Sequence, residues 1–184
     1  MQDLRSRATA LWTSFRSGTD TAFRELYELT YEELYRYARR LGGQSDVLRD
    51  LIQDTYLAIW LRRDKLPPVR DPWVFLLVSV RNRIIDQSRR KRVDPVELPV
   101  VPSPEEELLA AEERQLRTEW LRQHLDRLPE RQREALHLRY RLELDYGEIA
   151  ELMGVGQQVV YNYVNRGVGN LRRVAAETSR GQEE

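Results

Sequence analysis

The side chains in this chain best placed to do chemistry are amides and guanidinium groups set at helical spacing. Gln158, Asn162 and Asn165 recur on one stripe, flanked by Tyr161, Arg166, Arg172 and Arg173. Their chemistry is recognition, not bond breaking. Asn and Gln pair bidentately with adenine edges, and Arg with guanine or phosphate oxygens. At about 100° per residue the amides point to one side, while Val160, Val164, Val168 and Leu171 fall on the other. No acidic residue lies between Glu151 and Glu177, so nothing on this stretch repels a phosphate backbone.

The elements that must hold this stripe are legible just before it. Asp145 and Glu148 have capping-box spacing, so a helix should begin at Tyr146 and bury Ile149, Ala150 and Met153. Gly154 and Gly156 bracket a tight turn into the second helix. The pattern is a helix-turn-helix; its bland alternative is a helical hairpin with a polar face.

A second basic feature lies upstream. Arg81, Arg83, Arg89, Arg90, Lys91 and Arg92 crowd one segment, opposed only by Asp86. Then come Asp94, Glu97, Glu105, Glu106, Glu107, Glu112 and Glu113 before the next basic residue, Arg114. The formal net charge of zero over 184 residues conceals this segregation, which suggests a nucleic-acid face followed by an acidic arm.

Pro95, Pro99 and Pro102 forbid regular structure across residues 93–103, which divides the chain into units of 1–92 and 104–176 with a tail of 177–184. Both units read as helical, giving an all-α fold of two small domains joined by a flexible acidic linker. In the first, Leu4, Ala8, Leu11, Trp12 and Phe15 predict an opening helix. Phe23, Leu26, Tyr27, Tyr31, Leu34, Ala38 and Leu41 predict a second, ending at Gly42-Gly43. A third spans Ser45 to Leu61, and a basic loop with Pro67-Pro68 runs from Arg62 to Asp71. Asp71 followed by Pro72 is a helix start signal, and Trp73, Leu76, Leu77, Val80 and Ile84 form the inner face that follows.

In the second unit Ser103-Pro104-Glu105-Glu106 opens a helix carrying Leu108, Leu109, Leu116, Leu121 and Leu125. Pro129 opens another with Ala135, Leu136, Leu138 and Tyr140. On the third helix Asp50, Gln53, Asp54 and Leu57 fall on one face, suited to a partner helix pair bearing arginines. On the fourth, Asn82, Asp86, Arg89 and Arg90 lie opposite the apolar stripe and suit a strand backbone with one or two bases read directly.

Three blocks together resemble an extracytoplasmic-function (ECF) sigma factor, the compact class of bacterial RNA polymerase specificity subunits. They are Asp50-Leu51-Ile52-Gln53-Asp54 through Trp60, Trp73 through Arg92, and Leu128-Pro129-Glu130-Arg131-Gln132-Arg133-Glu134 through Arg173. The resemblance implies that Asp50, Leu51, Gln53, Asp54 and Leu57 dock on the clamp of bacterial core RNA polymerase. It implies that Arg81, Asn82, Asp86, Arg89 and Arg90 engage melted minus-ten promoter DNA, with a flipped base captured under the loop 62–71. It further implies that Gln158, Tyr161, Asn162, Asn165, Arg166, Arg172 and Arg173 read the duplex minus-thirty-five element. Whether an anti-sigma factor restrains the chain is left open. The family usually has a hydroxyl residue at Gly156, Thr at Val159, Arg at Tyr163 and Ala at Gly167. Gly167 and Gly169 should each cost about 1 kcal/mol against alanine, giving soft last turns.

Several functions are disfavoured. The chain has no cysteine, and its two histidines, His124 and His137, sit apart without a ligand constellation, so neither a disulfide scaffold nor a metal centre is expected. No nucleophile–base pair or phosphate loop suggests an enzyme, and no cofactor is implied. Met1–Phe15 is charged and amphipathic, and no stretch approaches membrane-spanning length, so a cytoplasmic protein is expected. The competing readings are a stand-alone helix-turn-helix transcriptional regulator and a helical adaptor that binds only protein.

Overall fold

A computed structural model describes residues 1–41, 45–66, 68–90, 121 and 123–180, with side chains omitted at 88–90 and 177–180. The expected linker 93–103, the acidic arm, the helix start at Ser103, the Gly42-Gly43 stop, Lys91 and Arg92 lie outside the described residues. Every described element is helical, and the chain divides into two compact units, Met1–Pro99 and Val100–Glu184.

The first unit contains α1 (Gln2–Arg16), α2 (Asp20–Arg40), α3 (Ser45–Leu61), a 3₁₀ turn at Arg63–Lys65 and α4 (Pro72–Arg90). Its centre is apolar and aromatic: Trp12, Phe15, Leu26, Leu34, Trp73, Leu77 and Val80 from the anticipated stripes are buried, together with Ile52 and Tyr56 from α3. Trp12 meets Phe75 edge-on at 5.4 Å, and Phe15 stacks against Trp60 at 5.9 Å, so α1 is fastened to both α4 and α3. Trp73 is fully buried on the inner face of α4, as its spacing predicts. One polar pair interrupts this core: Thr30 and Tyr56 share a hydrogen bond between hydroxyls, and Thr30 also donates to the Leu26 carbonyl. Burial raises the Tyr56 pKa far above the usual phenol value.

In the second unit a helical turn at 123–126 leads into α5 (Glu130–Leu136), a π-helical turn at His137–Arg141, α6 (Tyr146–Met153) and α7 (Gln157–Arg180). Ala135, Leu136 and Leu138 are buried, Tyr140 is 65% exposed, and Leu142 and Leu144, just beyond the π turn, are fully buried.

The softening expected of Gly167 also needs correcting. A Cβ added at Gly167 would stand 2.8 Å from Cδ1 and 3.1 Å from Cγ of Leu136 on α5. Glycine at this position lets the two helices approach closely. Gly169 has nothing within 4 Å. Asn170 on α7 donates to Gln132 on α5 at 3.1 Å, a second tie across the same contact.

Candidate nucleic-acid interface

The helix-turn-helix forms as its local chemistry dictates. Asp145 Oδ1 accepts from the Glu148 amide at 2.8 Å, and Glu148 Oε2 accepts from the Asp145 amide at 2.9 Å, closing the capping box that starts α6. Gly154 ends α6 at φ +65°, the left-handed conformation glycine adopts without steric penalty. The Gly156 carbonyl then receives the Val159 and Val160 amides and launches α7. Val160 and Val164 are buried, anchoring α7 on its inner side.

On the outer side Gln158, Tyr161, Asn162, Asn165, Arg166, Arg172 and Arg173 are all exposed, so every residue expected to face duplex DNA reaches solvent. Gln158 Nε2 donates to Asn162 Oδ1 at 3.5 Å, a long contact that holds the two amides side by side. The Tyr161 ring lies 5.9 Å from that of Tyr146, over which the Arg139 guanidinium sits at 5.1 Å. Gln157 and Val159, the latter 38% exposed, join the same outer surface and were missed by the sequence reading. An exposed valine at the start of such a helix is invisible to a search for hydrogen-bonding groups.

The first unit presents a different surface. Asp50, Gln53 and Asp54 are exposed on α3, and Leu57 and Leu61 continue the stripe at 54% and 74% exposure. Leu61, the last residue of α3, was not part of the expected contact. Leu51, expected within the docking group, is only 7% exposed and sits beneath the exposed face, at the floor of a groove shared with α4. Arg81 is likewise buried at 5% exposure, so a direct strand contact expected of it gives way to an internal position on α4. Both lie on the turn of their helix that packs inward, and block resemblance cannot distinguish a face.

Asn82 and Asp86 are exposed on α4; the side chains of Arg89 and Arg90 lie outside the described residues. Sequence spacing assigned α3 and α4 separate faces, but the fold brings them to one open groove of about 490 Å³. It is lined by Val47, Asp50, Leu51 and Asp54 from α3 and by Arg83, Asp86 and Gln87 from α4. Asp86 therefore shares its surroundings with the α3 carboxylates, and Arg83 supplies a cation within the same groove.

The described elements are all helical and carry two separate exposed surfaces, one of them an amide and arginine stripe on a helix-turn-helix, the arrangement of a DNA-binding protein. The comparisons with known proteins agree. Residues 26–93 match the family model described as Sigma-70 region 2, and residues 118–171 match Sigma-70, region 4. The ferric citrate uptake sigma factor FecI of Escherichia coli (strain K12) is 32% identical over 157 residues, spanning 76% of this chain and 87% of that protein. The RNA polymerase sigma factor SigZ of Bacillus subtilis (strain 168) is 29% identical over 156 residues, spanning 82% and 85%. Two solved structures share the fold. The sigma factor RpoE of Bartonella quintana, co-crystallised with the anti-sigma factor NepR, superposes with a TM-score of 0.65 at 21% identity over 84% of this chain and 96% of that one. CnrH, in complex with the cytosolic domain of CnrY, does so at 0.63 and 22% over 93% and 98%.

The chain belongs to the ECF group of the sigma-70 family. It is an alternative sigma factor, a regulatory subunit that binds core RNA polymerase and promoter DNA and directs transcription initiation. Among the described residues no helix is long and apolar enough to cross a membrane.

Proposed function

We propose a division of labour within this sigma factor: residues 1–92 dock on core polymerase and hold the melted minus-ten strand, while residues 104–176 read the duplex minus-thirty-five element. Asp50, Gln53, Asp54 and Leu57 form the polymerase contact, with Leu61 added as an apolar anchor and Leu51 supporting it from beneath. Asn82, Asp86, Arg89 and Arg90 take the strand. Gln158, Asn162 and Asn165 read base edges, Tyr161 packs beside them, and Arg166, Arg172 and Arg173 bind phosphates. The chemistry of initiation belongs to the polymerase, and the chain is a non-catalytic cytoplasmic subunit that needs no cofactor. By analogy with RpoE and NepR, an anti-sigma protein is a further candidate partner.

The observation that carries this reading is the contrast between two exposed surfaces. On α3, carboxylates adjoin exposed leucines, a mixture suited to protein and hostile to phosphate. On α7 the outer stripe holds amides and arginines and no acid through Ala176. A stand-alone regulator has no use for the first surface, and a protein-only adaptor none for the second.

The test measures three variants against three ligands. Asp50→Arg with Gln53→Ala should lose retention on core enzyme with helicity unchanged. Asn162→Ala in holoenzyme should weaken the upstream duplex element and spare a single-stranded minus-ten oligonucleotide. Arg89→Ala should do the reverse. If Asn162→Ala and Arg89→Ala impair the same ligand equally, two readers in two units is the wrong assignment.

A further inference from the structure

The loop between α3 and α4 is tied at both ends to the N-terminal residues, which precede the segment matched by the region 2 model. At its start, Arg63 donates to Asp20 at 3.1 Å and lies 5.3 Å over the Trp60 ring. At its end, Arg5 on α1 donates through Nε to Asp71 Oδ2 at 2.9 Å, and its Nη2 reaches the same oxygen. The two ties are not equivalent. Arg63 and Asp20 are 34% and 70% exposed, so solvent screens that pair heavily, whereas Arg5 and Asp71 are 25% and 22% exposed.

Asp71 divides its carboxylate between two tasks. Oδ1 accepts the amides of Trp73 at 2.9 Å and Val74 at 3.2 Å, which caps α4 without help from Arg5. Oδ2 is left for the guanidinium. What Arg5 adds is orientation: with both oxygens engaged, the plane of the carboxylate is fixed, and with it the joint where the loop becomes helix. Trp12 against Phe75 places α1 on the first turn of α4 just beyond that joint.

We infer that Arg5 is a positioning residue for promoter-strand recognition: by clasping Asp71, the N-cap of α4, it fixes the pose of the helix whose outer face carries Asn82 and Asp86, and so the fit of the strand those residues take. This rests on the assignment of the melted strand to the first unit. Cap and clasp can be separated experimentally, because Asn replaces Asp at a helix N-cap with little loss but cannot form the charged pair.

The experiment uses holoenzyme reconstituted with bacterial core polymerase. Wild-type holoenzyme selects a preferred oligonucleotide from a randomised non-template-strand library, and each base is then replaced in turn by an abasic site. The readout is discrimination, the affinity ratio of the preferred strand to its most damaging abasic version. Arg5→Ala and Asp71→Asn should each lower that ratio about tenfold, the low end of what one well-placed base-edge contact contributes to discrimination. The double variant should lower it no further, and core affinity should stay as in wild type. A stability defect alone would lower affinity for both strands alike and leave the ratio unmoved. Ratios within about twofold of wild type in both variants, additive losses in the double variant, or loss in Arg5→Ala alone would each overturn the inference. A wild-type holoenzyme that selects no strand would instead refute the assignment of the strand to the first unit, and this inference with it.

Discussion

Replacing Gly167 by alanine sets two terms of opposite sign against each other in one helix. Alanine gains about 1 kcal/mol over glycine in a helix interior. At Gly167, however, the new methyl would lie 2.8 Å from Cδ1 and 3.1 Å from Cγ of Leu136, which is itself only 5% exposed. A buried leucine cannot swing aside freely, and overpacking of this kind costs about 1–3 kcal/mol. The net expectation is a loss of about 1 kcal/mol, with α5 and α7 pushed apart. Gly169, two residues on and open on all sides, should return the full gain of about 1 kcal/mol. The two substitutions should therefore separate by about 2 kcal/mol in opposite directions, each kcal/mol being worth about 4–8 °C of melting temperature in a unit of this size. Hydrogen exchange on the whole chain, read at the Val160 and Val164 amides, reports the second unit without interference from the first. Truncating Leu136 to alanine should abolish the penalty specific to Gly167→Ala. If Gly167→Ala stabilises as much as Gly169→Ala, the close approach of α5 to α7 is absent and the packing argument fails.

Other consequences can be checked separately. Asp145→Ala removes the capping box and should destabilise the second unit by about 1 kcal/mol, seen as faster exchange in α6, while Asp145→Asn should retain most of the stability. Because burial raises the Tyr56 pKa in the folded state, the first unit should be fully stable below the ordinary phenol value of 10.0 and lose stability as pH rises beyond it. Tyr56→Phe should flatten that alkaline limb in denaturation curves, although Tyr31, also raised by burial, keeps some slope. Removing Arg172 or Arg173 should weaken all promoters alike and reduce the salt slope of holoenzyme binding by about one unit. Asn162→Ala should cost about 1–3 kcal/mol at preferred sites and little elsewhere. Leu57→Ser with Leu61→Ser should reduce core affinity with only a small loss of stability, because both side chains are largely exposed.

Much of this was legible in the sequence wherever a local rule governs. The Asp145–Glu148 box, the Asp71-Pro72 start and the Gly154 stop all appear where their spacing placed them, since each depends on residues a few positions apart. The valine stripe of α7 likewise put its amides outward. What escaped depends on partners far away in sequence. Gly167 reads as a helix weakness until Leu136 is seen against it. Arg5 reads as one more surface charge until it meets Asp71, 66 residues later. The π turn at His137–Arg141 carries no composition signal, and Leu142 and Leu144 beyond it were overlooked as core residues. Leu51 and Arg81 were assigned by block resemblance, which says which segment meets a partner and not which turn of the helix faces it.

The central claim is that this chain gives core polymerase its choice of promoter, and run-off transcription tests it most directly. Core enzyme without any sigma factor is supplied with genomic promoter fragments, and this protein is added as the only specificity factor. The account predicts discrete run-off products from a restricted set of promoters, lost with the Asp50→Arg, Gln53→Ala double variant and redistributed among promoters by Asn162→Ala. No product above the core-alone background, together with sequence-specific binding of the same fragments by the isolated protein, would contradict it.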